Sequence, residues 1–203
     1  MKIICIGRNY ANHAKEMNSP IPSTPMFFMK PDTALLPKKN PFFYPSFTND
    51  LHYECEVVVR ICKLGKNISE KFAHEYYNTI GLGIDFTARD LQQQCKDKGH
   101  PWEIAKAFEH SAPLSEHFID KSKLSIENLN FTLYKNGELV QRGNTSDMIF
   151  SIDQLIAYVS QFMTLKIGDL LFTGTPEGVG PVQIGDTLSG KIEDIEMFNL
   201  KIK

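Results

Sequence analysis

Glu54 and Glu56 are separated by one residue and are followed by the apolar run 57–59, Val-Val-Val. Because side chains alternate along a strand, both carboxylates would lie on one face, about 7 Å apart at their Cα atoms. The apolar run predicts a strand that enters the interior, where two like charges repel and lose hydration unless a cation compensates them. Oxygen ligands suit a hard cation such as Mg²⁺ or Mn²⁺. An acidic, solvent-exposed strand edge is the alternative interpretation.

Asp85 is a third acidic residue in apolar surroundings, directly after the segment 82–84, Leu-Gly-Ile. It could cap a helix near Thr87, where Thr87 and Asp90 have the spacing of a capping box. It could equally be a third oxygen ligand beside Glu54 and Glu56. Three acidic groups on two buried strands favour a cation site more strongly than one group does.

His13 and Glu16 are three residues apart, so on a helical turn they would face the same way and share a hydrogen bond. A carboxylate can orient an imidazole, or an imidazole can orient a carboxylate base toward a water molecule. An ordinary surface pair is the alternative. Lys106, set among apolar residues, is either a surface lysine with a buried stem or a buried functional cation.

The segment 174–180, Gly-Thr-Pro-Glu-Gly-Val-Gly, is rich in glycine but matches neither a P-loop nor a dinucleotide-binding fingerprint. Its backbone N–H groups could accept a carboxylate, or the segment could be a simple turn.

The elements that would position these residues are mostly strands. Segments 54–61, 79–86 and 170–173 are apolar and β-rich, and the glycines at 81 and 83 predict that another group approaches the backbone closely. Asn136-Gly137 between two alternating segments predicts a hairpin. Ser151 and Gln154 predict a capping box at the start of a helix. Strands dominate without regular βαβ alternation, so we expect a mixed, mainly β architecture.

Residues 17–47 contain seven prolines, which disfavour helix and predict an extended, loop-like segment. Long loops in compact domains are usually functional, and we expect residues 14–25 to form a lid that is mobile until a ligand binds. The length of 203 residues predicts a single domain, 1–203.

Composition excludes several classes of function. Lysine and arginine total 22 residues against 24 acidic residues, so there is no basic excess to follow a phosphate backbone and we expect no nucleic-acid partner. No apolar run approaches the roughly 20 residues of a membrane span, so we expect no membrane partner. The N-terminus is typical of a first strand rather than a signal peptide. The four cysteines form no CxxC pair, which favours reduced thiols and a cytoplasmic location.

Several motifs occur together in a characteristic order. They are Gly7-Arg8-Asn9-Tyr10 with His13 and Glu16, Phe28-Met29-Lys30-Pro31, His52-Tyr53-Glu54-Cys55-Glu56, Asp85-Phe86-Thr87-Ala88-Arg89-Asp90, Lys106, Met148-Ile149-Phe150, and the segment from Leu171 to Gly180. In this order they resemble the fumarylacetoacetate hydrolase superfamily over essentially the whole chain, and within it the acylpyruvase and oxaloacetate decarboxylase branch.

The resemblance implies an α+β, mainly β fold, a mixed β-sandwich roll with short helices, usually assembled as a homodimer. It implies one divalent cation, Mg²⁺ or Mn²⁺, bound by Glu54, Glu56 and Asp85. It further implies that His13 and Glu16 are an acid/base pair on the lid and that Lys106 helps to hold the substrate. The remaining substrate-binding residues that it implies are Thr175, at a substrate carboxylate, and Arg8, Lys30, Arg89 and Gln92.

The implied activity is hydrolysis of a carbon–carbon bond in acylpyruvates (2,4-dioxo acids) to pyruvate and a carboxylic acid through a metal-stabilised pyruvate enolate, with decarboxylation of oxaloacetate as an additional activity. In the hydrolysis, Glu16 with His13 would deprotonate the attacking water. An isomerase or hydratase of unsaturated 2-oxo dioic acids from aromatic catabolism is the alternative enzyme. A non-catalytic metal-bound scaffold is the alternative of another class.

Overall fold

A computed structural model describes residues 1–17 and 19–203. The chain forms a six-stranded sheet in the order β2-β1-β10-β4-β5-β7, a three-stranded sheet β11-β3-β6 and a four-stranded sheet β13-β12-β8-β9. The strands are β1 Ile3–Gly7, β2 Met26–Lys30, β3 Leu51–Tyr53, β4 Cys55–Ile61, β5 Tyr77–Ile84, β6 Thr87–Ala88, β7 Ile119–Asp120, β8 Asn130–Lys135, β9 Glu138–Asn144, β10 Leu170–Phe172, β11 Gly180–Pro181, β12 Thr187–Ile192 and β13 Ile195–Lys201. The helices are α1 Ala11–Glu16, α2 Glu70–Ala73, α3 Arg89–Lys98, α4 Glu103–Lys106 and α5 Ile152–Phe162.

The pairing of β4 with β5 brings two of the acidic residues together. The two strands are antiparallel, with Cys55 opposite Ile84. Glu54 lies just before β4 and Asp85 lies just after β5. The two residues are therefore neighbours where these two inner strands of the six-stranded sheet meet its end. The Asp85 N–H donates to the Glu54 carbonyl at 2.8 Å.

Two more strands finish at the same end of the sheet. β10 is antiparallel to β4 and β1 is parallel to β10, so the chain leaves both β1 and β10 beside the start of β4. β1 leads into α1, and β10 leads into the glycine-rich segment 174–180. The side chain of Asn9 joins these two exits, because its Nδ2 donates to the Thr173 carbonyl at 2.8 Å.

The glycines in β5 have the role that the sequence predicts. A Cβ on Gly83 would lie 2.6 Å from the Phe172 ring, and a Cβ on Gly81 would lie 2.7 Å from the Phe118 ring. Since Gly83 pairs with Glu56, the ring of Phe172 packs against the backbone directly beside the acidic residues. A larger residue at position 83 would displace the strand that carries them.

The local motifs in the second half of the chain are confirmed. Asn136 and Gly137 have positive φ angles of 54° and 86° in the turn between β8 and β9. Ser151 and Gln154 form both hydrogen bonds of a capping box at the start of α5. Gly99 ends α3 with a φ of 65°.

The capping box expected at Thr87 is wrong. Thr87 lies in strand β6, and α3 begins at Arg89 without a side-chain cap from Ala88. The Thr87 hydroxyl donates to the Asp85 carbonyl at 3.3 Å, while the Asp90 carboxylate accepts the Thr48 hydroxyl at 2.6 Å. The Asp85 side chain is thus free of any capping role at this helix.

The proline-rich segment is extended but contains a strand that its prolines concealed, because β2 fits between Pro25 and Pro31. The expected lid, 14–25, overlaps the end of α1 and includes position 18, which lies outside the described residues; its mobility stays a prediction. All four cysteines are free, as expected. Among residues 1–17 and 19–203, none of the helices has the length and apolar character of a membrane-spanning segment.

Candidate active site

The three acidic residues form one buried cluster. Glu54, Glu56 and Asp85 are 6%, 1% and 1% exposed, so the interpretation as a solvent-exposed strand edge is wrong. Each offers one carboxylate oxygen, and these oxygens all lie within 4.8 Å of one another. Three carboxylates at this separation repel one another unless cations surround them.

Three basic side chains surround the cluster. The Lys106 Nζ donates to Glu54 Oε2 and to Asp85 Oδ2, each at 2.8 Å. Arg89 donates to Glu54 Oε1 at 2.7 Å. Lys30 is fully buried, with its Nζ 2.8 Å from Asp85 Oδ1, and it also donates to the Ser111 hydroxyl. Lys106 is thus a buried cation rather than a surface lysine.

The electrostatics differ from one acid to the next. Burial raises the pKa of Glu54, but the nearby Lys106 and Arg89 outweigh it and hold this pKa well below its ordinary range. Burial raises the pKa of Glu56 as well, and the Asp85 and Glu54 carboxylates raise it further, to well above its ordinary range. Burial lowers the pKa of Lys106, but Asp85 and Glu54 outweigh burial and raise this pKa overall.

The residues of the cluster fit a divalent cation. A spread of 4.8 Å between oxygens can be bridged by one ion with ligand distances of about 2.0–2.6 Å. The buried Asp85 Oδ1 has no aligned hydrogen-bond donor among the described residues, although the Lys30 ammonium lies close to it. Besides burial, the Asp85 and Glu54 carboxylates also raise the pKa of Glu56, so a further cation at the cluster would stabilise the ionised form of Glu56.

The glycine-rich segment holds the cluster from one side. The Gly174 N–H donates to Glu56 Oε2 at 2.7 Å, so one backbone donor of this segment is used by a carboxylate of the protein itself. The Thr175 hydroxyl donates to the Cys55 carbonyl and accepts from Gln141 Nε2, both at 2.9 Å. A substrate carboxylate would therefore have to compete with Cys55 for the hydroxyl proton of Thr175.

His13 and Glu16 form the expected pair on α1. The His13 Nδ1 lies 3.2 Å from Glu16 Oε2, and the other Glu16 oxygen accepts the Gly178 N–H at 3.1 Å. His13 is buried and Glu16 is more exposed. Since the glycine-rich segment fixes the carboxylate and the carboxylate engages Nδ1, the ring nitrogen Nε2 is the one left to meet a substrate.

A small cleft, partly open to solvent, lies over the cluster. Eight of the residues singled out from the sequence line it: Arg8, His13, Glu54, Glu56, Arg89, Gln92, Lys106 and Thr175. Asp85 and Lys30 lie beneath its floor, and Glu16 lies behind His13. Lys30 is thus placed to support Asp85 rather than to line the cleft.

The cleft also contains residues to which the sequence analysis assigned no role. Phe28 and Trp102 form an apolar wall, with ring centroids 6.1 Å apart, and Lys96 lies beside Trp102. The spacing of Lys96 from Gln92 and Arg89 on a helix was the available signal, because residues three, four and seven apart share one face.

The sequence matches a known family over almost its full length. The family model described as fumarylacetoacetate (FAA) hydrolase C-terminal matches residues 2–202. A relative from Bos taurus, named mitochondrial oxaloacetate tautomerase FAHD1, is 46% identical over 99% of this chain and 91% of its own length. A relative from Dictyostelium discoideum, named mitochondrial oxaloacetate decarboxylase, is 41% identical over 96% of this chain and 90% of its own length.

A solved structure shares the fold. Fumarylpyruvate hydrolase from Pseudomonas aeruginosa, crystallised with Mn²⁺ and pyruvate, matches at a TM-score of 0.93 and 38% identity, covering 100% of this chain and 89% of that one. The match confirms the fold class implied by the sequence motifs. All three proteins are named for reactions of oxaloacetate or fumarylpyruvate.

Proposed function

Since the chain belongs to the fumarylacetoacetate hydrolase family, we propose that it is a divalent-metal-dependent enzyme acting on short 2-oxo acids. Its reactions would be hydrolysis of acylpyruvates and conversion of oxaloacetate. The observation that carries this proposal is the buried cluster of Glu54, Glu56 and Asp85, which lies under a cleft that also contains Lys106 and His13. Buried acids, a buried cation and a histidine converge on one small cavity, which is typical of an active site.

Glu54, Glu56 and Asp85 would hold Mg²⁺ or Mn²⁺ through carboxylate oxygens. The chemistry that such an ion supplies is stabilisation of the negative charge that develops on the 2-oxo oxygen when an enolate forms. Lys106 and Arg89 keep Glu54 ionised, and Lys30 supports Asp85 from below. These residues keep the ligands charged and in place although they are buried.

The side chains that line the cleft would position the substrate. The Lys106 ammonium borders both the cluster and the cleft, so it can donate to a substrate oxygen bound there. Arg89 donates to Gln92 Oε1 at 2.8 Å, and this bond leaves the Gln92 amide N–H groups available to the cleft. The wall of Phe28 and Trp102 restricts the access of water to the reacting carbons.

His13 would move the proton. With Glu16 accepting a hydrogen bond from Nδ1, the neutral ring of His13 would carry its lone pair on Nε2 and could accept a proton from water in the cleft. The hydroxide attacks the distal carbonyl of a 2,4-dioxo acid, the carbon–carbon bond breaks, and the products are a carboxylic acid and pyruvate. The proton taken by His13 then returns to the methylene carbon of the pyruvate enolate. In this proposal His13 is the proton acceptor and Glu16 is its orienting partner.

Keto–enol interconversion of oxaloacetate is a second candidate, favoured by the presence of a proton-transfer residue over the cluster and by the name of the bovine relative. In that reaction His13 would take a proton from carbon 3, and the proton would return to the oxygen at carbon 2. The isomerase or hydratase of unsaturated dioic acids needs the same enolate, and only a substrate panel separates it from the leading proposal.

The test is turnover of acetylpyruvate and oxaloacetate by the purified protein. Protein stripped with a chelator should be inactive, and adding Mg²⁺ or Mn²⁺ should restore activity. Loss of the enol absorbance of oxaloacetate without release of carbon dioxide would identify the tautomerase reaction. A protein that turns over neither compound with either metal would refute the proposal and favour a non-catalytic scaffold.

The homodimer is also part of the proposal, and light scattering of the purified protein tests it. The cytoplasmic location stays a prediction, since both curated relatives are named as mitochondrial.

A further inference from the structure

The wall of the cleft carries two cations that the cluster does not use. Lys106 and Arg89 are engaged by the buried acids, but Arg8 and Lys96 line the cleft with no carboxylate within 4.0 Å in the part of the chain that the structure describes. Basic side chains on a protein surface usually face solvent or an acid. Two cations that line one cleft without an acidic partner are suited to bind an anion.

The helix α3 sets the position of Lys96. Arg89, Gln92 and Lys96 occupy one face of this helix, and all three line the cleft. Arg89 reaches Glu54, so this end of the face lies at the cluster. Lys96 is seven residues further along, about 10 Å along the helix axis, and therefore lies at the outer part of the cleft. Its Nζ is 5.8 Å from the centre of the Trp102 ring, within the range of a cation–π contact.

The backbone of Arg8 is held in an uncommon conformation. Arg8 directly follows β1 and has a φ of 59°, in the left-handed region that glycine adopts most easily. The neighbouring Gly7 does not have a positive φ angle. The left-handed conformation is therefore at Arg8 itself, whose long cationic side chain lines the cleft. Strain of this kind is typical of functional sites.

The two cations also act on each other. Burial beside the cleft lowers the pKa of Lys96, and the positive charges of Arg89 and Arg8 lower it further. An anion bound between these side chains would relieve the repulsion. With a divalent cation held by the cluster, the cleft would offer one place for negative charge at the cluster end and a second place at the outer end.

We propose that Lys96, together with Arg8, binds the distal carboxylate of a dicarboxylic 2-oxo acid, and that Lys96 determines the preference for dianionic over monoanionic substrates. This inference rests on the proposed function, which places the 2-oxo carboxylate end of the substrate at the cluster. The substrate class is then a short 2-oxo acid with a second carboxylate, such as oxaloacetate or a fumarylpyruvate-like acid. Acetylpyruvate, which ends in a methyl group, would leave the outer subsite empty.

The experiment compares Lys96→Met with the wild type on oxaloacetate and on acetylpyruvate, both with saturating Mg²⁺. We expect kcat/KM for oxaloacetate to fall about 10- to 100-fold, mainly through KM, because one charge-assisted hydrogen bond is lost. The value for acetylpyruvate should change less than threefold. Lys96→Arg should retain most of the preference for the dianion, since it keeps the charge.

Lys98→Met is the matched control, because Lys98 is an exposed lysine on the same helix. Its substitution removes the same charge from the protein. It should leave both substrates unaffected. Equal losses of kcat/KM on both substrates in Lys96→Met, or no loss on either, would overturn the inference. Turnover by the wild-type protein would still uphold the proposed function in that case. Thermal unfolding of Lys96→Met must match the wild type within about 3 °C; if it does not, Lys96→Gln replaces it under the same criteria.

Discussion

The pair of His13 and Glu16 gives the sharpest test of the chemistry, through the substitution Glu16→Gln. One oxygen of Glu16 accepts a hydrogen bond from the Gly178 N–H, and the other oxygen pairs with His13 Nδ1. A glutamine can keep the bond to Gly178 through its amide oxygen, but it then presents an N–H to His13. Nδ1 must accept this hydrogen bond, so the ring proton moves to Nε2 and the nitrogen facing the cleft can no longer take a proton from water.

The size of the effect follows from what is lost. A positioned general base contributes about 10²- to 10⁴-fold to a rate, so hydrolysis of acetylpyruvate should fall by that factor in kcat. Decarboxylation of oxaloacetate needs no water, so it should stay within about threefold of the wild type. Metal binding, measured by calorimetry, should be unchanged because Glu16 is not part of the cluster.

Lys15→Gln is the control for this experiment, since Lys15 is exposed on the same helix and has no contact with His13 in the described hydrogen bonds. It should leave both activities unchanged. Hydrolysis by Glu16→Gln within threefold of the wild type would show that His13 does not depend on Glu16. Equal losses of hydrolysis and decarboxylation would show instead that the pair serves binding or lid closure.

Three further predictions concern the cluster and its support. Lys106→Met should lower turnover of both substrates at least 100-fold. It should also lower the metal-free stability by about 3–5 kcal/mol, because Glu54 and Asp85 lose a buried partner. Urea unfolding measures this loss, and an unchanged midpoint would contradict the prediction. Gly83→Ala should cost about 1–3 kcal/mol by the same measurement, since its Cβ would lie 2.6 Å from the Phe172 ring, and a neutral effect would show that β5 shifts freely. Because the pKa of Glu56 is raised, this carboxyl holds a proton below that pKa, so Mg²⁺ binding should release a proton and should tighten as the pH rises. Calorimetry in buffers of different protonation enthalpy measures this proton release. Glu56→Gln should abolish the release.

Most of the cluster could be predicted from local pattern. Alternation along a strand placed Glu54 and Glu56 on one face, and the apolar run after them indicated burial. Asp85 needed a second buried strand, and its proximity to Glu54 follows from the antiparallel pairing of β4 with β5, which no local pattern specifies. The hairpin at Asn136 and the helix start at Ser151 were also predictable, because turn and cap chemistry acts within four residues.

What the sequence did not reveal depends on contacts between distant segments. Lys30 was expected in the substrate pocket, yet it lies under Asp85, because only the folded chain brings the end of β2 beneath the loop after β5. The spacing of Lys96 places it on the same helix face as Arg89 and Gln92, but only the position of α3 in the folded chain shows that this face lines the cleft. The strand β2 was hidden by the prolines on either side of it.

The charges of the site bear on both proposals at once. In the chain by itself, Lys30, Lys106 and Arg89 surround the acids at the floor of the cleft, and Arg8 and Lys96 line its wall. A divalent cation at the floor would add two further positive charges within a small, partly buried volume. A monoanionic substrate compensates only part of this charge, whereas a dianionic 2-oxo acid places one carboxylate at the floor and the other between Arg8 and Lys96. The affinity for a dianion should therefore depend on metal more steeply than the affinity for a monoanion, and in Lys96→Met this difference should shrink.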